Sequence, residues 1–106
     1  MAALTYYPIC STEELPAGER LFIDMDGEPV VIFNIAGDYY AIADVCTHDM
    51  GSLGEGEVEG HQIICPRHGA RFDIRTGEVL TLPAVKGVPS FPVRVNDGMV
   101  EIGVEE

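Results

Sequence analysis

An all-β domain is the fold class this sequence predicts, and three observations carry that expectation. Short runs rich in β-branched and aromatic residues are joined by turn dipeptides, the last pair flanks the hairpin signal Asn96-Asp97-Gly98, and helical patterning is almost absent. The expected architecture is a β-sandwich carrying a loop-rich subdomain. At 106 residues the chain is one domain, of a size that burial alone stabilises only modestly, so a bound cofactor would help it.

Taken in order, Leu21-Phe22-Ile23-Asp24-Met25 leads through Asp26-Gly27 into Val30-Val31-Ile32-Phe33-Asn34-Ile35. Gly37-Asp38 then leads into Tyr39-Tyr40-Ala41-Ile42-Ala43, which completes a meander of three strands. Phe91-Pro92-Val93-Arg94-Val95 and Met99-Val100-Glu101-Ile102-Gly103-Val104 alternate clearly and form the closing hairpin. Before the first strand, Ser11-Thr12-Glu13-Glu14-Leu15 reads as a helix start that Pro16 stops after one short turn. Tyr6-Tyr7-Pro8-Ile9-Cys10 is an apolar stretch holding a cysteine of the small buried kind.

Residues 45–83 differ in character. Gly51, Gly54, Gly56, Gly60, Gly69 and Gly77 crowd this segment, which reads as a loop-built insert between a base of residues 1–44 and 84–106. Both chemistry-bearing motifs fall inside it: Cys46-Thr47-His48 and Cys65-Pro66-Arg67-His68, separated by sixteen residues. They use two of three cysteines and two of three histidines. Side chains two apart on an extended segment share a face, so Cys46 and His48 are expected to point the same way from one strand end. The second pair is spaced by one residue more, as a turn would space it, with Gly69 able to take angles denied to other residues.

Mixed thiolate and imidazole pairs at this spacing are the ligand arrangement of a Rieske-type 2Fe-2S centre, in which two Cys hold one iron and two His the other. A structural zinc module is the rival from another class, because two thiolates and two imidazoles also suit tetrahedral zinc, although zinc fingers usually pair Cys with Cys and His with His. The segment from Cys46 to Gly69 is similar to the Rieske family, and the flanking strands extend the similarity over nearly the whole chain. The resemblance implies metal ligands Cys46, His48, Cys65 and His68 for one cluster. Leu53, Pro66, Arg67, Gly69 and Pro83 are then expected to shield the cluster or shape its surroundings.

High-potential members of that family carry an additional cysteine in each cluster loop and hydroxyl donors after the second histidine. Here Arg67 stands inside the second loop, the first has Asp49, Met50 and Gly51, and Ala70 and Phe72 follow the second. The resemblance therefore implies a potential near the low end of the Rieske range, about −150 mV, with the Arg67 cation pushing the other way.

What the chain lacks narrows its role. A terminal oxygenase needs a further mononuclear iron, commonly on two His and a carboxylate, and only His61 remains for it. A reductase needs a Gly-rich phosphate loop between strand and helix, and none is present. A Rieske domain with neither resembles the ferredoxin component of aromatic-ring-hydroxylating oxygenase systems, a non-enzymatic carrier between a ferredoxin reductase and a terminal oxygenase. A small Rieske-type subunit of another redox enzyme, such as an NADH-dependent nitrite reductase, is the alternative. Eighteen acidic against six basic residues give a net charge of −12, which disfavours nucleic acid and anionic lipid and favours basic patches on partner proteins. Without an apolar run of about 20 residues or a leader-like N-terminus, the chain is expected to be soluble and cytoplasmic, and it is expected to act as a monomer.

Overall fold

The computed structural model describes residues 3–105. Its strands are β1 (Leu4–Ser11), β2 (Arg20–Met25), β3 (Glu28–Ile35), β4 (Asp38–Ala43), β5 (Glu57–Glu59), β6 (Gln62–Ile64), β7 (Arg71–Asp73), β8 (Ser90–Phe91), β9 (Val93–Asn96) and β10 (Met99–Glu105). They form three antiparallel sheets, ordered β1-β10-β9, β2-β3-β4-β8 and β5-β6-β7. The all-β expectation holds. Among the described residues no helix is long and apolar enough to cross a membrane.

The central β2-β3-β4-β8 sheet explains why β3 is a continuous apolar run. Val30 and Ile32 pack with Ala41, Val100 and Ile102 toward the β1-β10-β9 sheet. Val31 and Phe33 pack on the other face with Ile42, Leu53, Ile63 and Phe72. A strand covered on both faces has no reason to alternate, and Val30 to Asn34 are all buried. Asn34, the one buried polar residue among those described, is satisfied: its amide donates to Leu15 O at 2.8 Å and its oxygen accepts from Gly37 N at 2.8 Å.

The turns follow the chain's punctuation with one shift. Asp26-Gly27, Ala36-Gly37 and Asp97-Gly98 all take positive φ at both positions, the geometry of two-residue hairpins that match strand twist. The second turn is therefore Ala36-Gly37, and Asp38 already begins β4. Ser11 and Glu14 form a reciprocal capping box around the 3-10 turn Thr12–Glu14, the short turn expected there.

Three features depart from the sequence reading. The N-terminal apolar stretch is a full strand; it lies on a sheet edge, where Pro8 can be tolerated, and its register shifts between Pro8 and Cys10. The run Phe91 to Val95 is split at Pro92, which has no N–H to donate: Ser90–Phe91 pairs with β4, while Val93–Asn96 pairs with β10. The glycine-rich segment is not loop alone, since β5, β6 and β7 give it a small sheet.

Candidate metal centre

The two cysteine-histidine segments fold into the same hairpin. In the first, Cys46 N donates to Gly51 O at 2.7 Å and Met50 N donates to Cys46 O at 2.6 Å. In the second, Cys65 N donates to Ala70 O at 2.7 Å and Gly69 N donates to Cys65 O at 3.0 Å. Four residues after each cysteine the backbone turns left-handed, at Met50 (φ 63°) and at Gly69 (φ 78°). The first segment is thus a turn and not the extended strand end expected from the Cys-x-His spacing; the bond back to Cys46 O curls it.

Each loop wraps its sulfur alike. The backbone N–H groups of His48 and Asp49 point at the Cys46 sulfur, and those of Arg67 and His68 at the Cys65 sulfur. Both thiols are buried, at 0% and 1% exposure, and their sulfurs lie within 4.8 Å of each other. Burial, followed by the Cys65 thiol, pushes Cys46 up. Burial raises Cys65 too, yet the Arg67 and His68 amides, the Cys46 thiol and the Arg67 charge outweigh it and bring Cys65 below its ordinary value.

The imidazoles lie further out. His48 and His68 meet edge to face with ring centroids 4.6 Å apart, and the His68 side chain is half exposed. Two buried thiols and two more exposed imidazoles, brought together by matching loops, fit a binuclear iron-sulfur centre with its sulfur-ligated iron inside and its nitrogen-ligated iron outside. Asp49 also lies within 4.8 Å of both sulfurs. Its carboxylate is already engaged by Arg67 and by Gly51 N at 2.9 Å, which argues against its serving a single-ion site.

Arg67 joins the loops. Its guanidinium makes a two-point contact with Asp49, donates to Ser52 O at 2.9 Å and reaches Cys65 Sγ at 3.7 Å. The bond to Arg67 holds the Asp49 carboxyl well below the usual carboxylate range, and the same bond drives the guanidinium's pKa up. Gly51 leaves room for this, since a Cβ there would sit 2.6 Å from Arg67 Cζ. The base grips the same segment through Asp44, which accepts from Gly54 N at 2.6 Å and Ser52 Oγ at 2.9 Å, and through Arg20, which donates to Gly54 O and Gly56 O. Sequence reading missed Arg20, Asp44 and Ser52, because their partners are main-chain atoms or distant residues; for Asp49 the Asp-x-Gly spacing was the available signal.

The other expected residues fall in different places. Leu53 is fully buried and packs with Cys46, Cys65, Ile63 and Ala84. Pro66 and Gly69 line a shallow cavity of about 390 Å³ beside Cys65, with Glu55 and Glu57 at its edge. Pro83, which follows a cis peptide bond, is exposed, and its neighbour Ala84 is the residue buried with the cysteines. His61 stands edge to face with Tyr40, with ring centroids 5.8 Å apart.

Comparisons with known proteins agree with this geometry. The Rieske [2Fe-2S] domain profile matches residues 5–92. The 3-phenylpropionate/cinnamic acid dioxygenase ferredoxin subunit of Escherichia coli (strain K12) is 39% identical over 99 residues, covering 92% of each chain. The ferredoxin component of the naphthalene 1,2-dioxygenase/salicylate 5-hydroxylase systems of a Ralstonia species is 30% identical over 93 residues, covering 88% of this chain and 89% of that one. Among solved structures, the ferredoxin of carbazole 1,9a-dioxygenase from Nocardioides aromaticivorans IC177 superposes with a TM-score of 0.86 at 30% identity, covering 92% of this chain and 96% of that one. With most of its length matched and its paired loops in place, this chain belongs to the Rieske [2Fe-2S] domain family.

Proposed function

We propose that this chain is the one-electron carrier of an aromatic-ring-hydroxylating oxygenase system, receiving electrons from a reductase and delivering them to a terminal oxygenase. In this reading Cys46 and Cys65 hold one iron and His48 and His68 the other. The observation that carries it is the pair of matching hairpins, which set two buried thiols against two outward imidazoles. When bound, the cluster supplies a reversible one-electron site at a higher potential than an all-cysteine cluster.

The chain's own residues do the rest. Residues 45–83 carry the centre and residues 1–44 and 84–106 serve as its base. Leu53 and Ala84 keep water from the sulfur side, and Arg67 with Asp49 holds the loops at one separation. His48 and His68 give the electron a short path to the surface. Ala70 and Phe72 are buried without hydroxyl groups, so reduction receives little side-chain hydrogen-bond help there.

The outlying face suits docking. Met50, Leu82 and Val85 are 74, 76 and 81% exposed, large apolar side chains in the first loop and in the segment that Thr47 ties to it through Lys86 O. Such exposure marks interaction surfaces. A solved complex of oxygenase and ferredoxin in carbazole 1,9a-dioxygenase, whose matched chain is 30% identical to this one, supports a terminal oxygenase as partner. The acidic balance fits basic patches around that contact, and a reducing, cytoplasmic setting fits three cysteines that form no disulfide.

An anaerobic redox titration of the visible absorption tests the proposal. The expected result is one electron per chain with a midpoint near the bottom of the Rieske range, about −150 mV. A protein that takes up no electron, or that purifies colourless with stoichiometric zinc, contradicts it.

A further inference from the structure

The chain has six cationic side chains, and five are engaged internally. Arg67, Arg71, Arg75 and Arg94 pair with Asp49, Glu59, Asp73 and Glu101, while Arg20 donates to two carbonyl groups. Among the described residues Lys86 alone has no carboxylate or carbonyl partner for its charge. Its position is not arbitrary. Lys86 is exposed, follows Val85 in the apolar rim, and its carbonyl accepts the hydroxyl of Thr47, which stands between Cys46 and His48.

A protein of charge −12 thus places the one uncompensated cation among its described residues on a segment hydrogen-bonded to the loop that carries Cys46 and His48. We infer that Lys86 is the orienting contact beside that loop, pairing on docking with a carboxylate on the surface of the electron-accepting oxygenase. The partner it fits carries an apolar recess for Met50, Leu82 and Val85, an acidic group beside that recess, and positive charge further out to meet the acidic body. Bulk charge brings the two proteins together, and this single opposite charge selects the orientation in which the histidines face the acceptor.

The inference rests on the electron-carrier reading, and small charged oxidants separate the two. In stopped-flow oxidation of the reduced holoprotein, one electron passes from the cluster to hexacyanoferrate(III), giving hexacyanoferrate(II), or to hexaammineruthenium(III), giving the ruthenium(II) complex. At about 0.01 M salt, Lys86→Gln should slow the anionic oxidant roughly fivefold and speed the cationic one by a similar factor. Lys86→Arg should keep both wild-type rates. Arg94→Gln makes the same change in net charge on β9 and should move the ratio of the two rates far less. Equal ratios in Lys86→Gln and Arg94→Gln, with oxidation otherwise fast, overturn the role of Lys86 and leave the carrier standing. A wild-type protein that neither complex oxidises defeats the carrier reading, and this inference with it.

Discussion

The hairpins at Cys46 and Cys65 share a backbone and differ in what occupies it. Both close from the cysteine N–H to the carbonyl five residues on, and both turn left-handed at the fourth residue. The second loop puts glycine there; the first puts Met50, at φ 63° and 74% exposed. A left-handed residue with a side chain costs about 1–2 kcal/mol, and strain of this kind persists where something other than stability holds it. The second loop reaches across through Arg67, whereas the first receives that contact through Asp49 and opens toward solvent. One loop is built to hold and the other to present.

Removing the floor common to both should have the largest effect. Leu53→Ala leaves a cavity under both cysteines and should lower unfolding stability by about 2–5 kcal/mol in denaturant titration. Next come the left-handed positions, where the loops should respond with opposite signs. Gly69→Ala meets no atom within 4 Å, so its loss of about 0.5–1 kcal/mol is purely conformational, the left-handed cost less the freedom removed from the unfolded chain. Met50→Gly should gain about 0.5–1 kcal/mol, the relieved strain less the added freedom of the unfolded chain. If both substitutions destabilise, the assignment of strain to Met50 is wrong.

The cross-loop contact comes third. Arg67→Gln and Asp49→Asn should each speed loss of iron to a chelator, and the double variant should be no faster than the worse single one. Rates that multiply instead would mean that the two side chains act separately. The smallest effect lies outside the loops, at Asp73. Bonding to Arg75 holds its carboxyl below the ordinary range, so the pair stabilises the fold above about pH 4 and that contribution fades as pH falls through the lowered pKa. Asp73→Asn should flatten that acid limb of the stability curve without altering the visible spectrum.

How much of this could be read beforehand depended on how local the signal was. The meander and closing hairpin announce themselves in turn dipeptides and alternation, and the paired motifs in their residue types. Three-residue strands such as Glu57–Glu59 and Arg71–Asp73 are too short to show a period, and Pro8 disguised an edge strand. A two-residue spacing suits a strand face and a tight turn equally, so the spacing of Cys46 and His48 does not by itself distinguish an extended segment from the turn they form. The grip of Arg67 on Asp49, eighteen residues away, and of Arg20 on Gly54 belongs to tertiary structure, which no local pattern encodes.

The central claim is that these two loops together hold one cluster on two thiolates and two imidazoles. Iron and acid-labile sulfide analysis, with EPR of the reduced protein, on wild type, His48→Ala and His68→Ala tests it most directly. The account predicts about two irons and two sulfides per wild-type chain, a Rieske signal in the wild type, and loss of that signal in either variant. An unchanged signal in either histidine variant would contradict it.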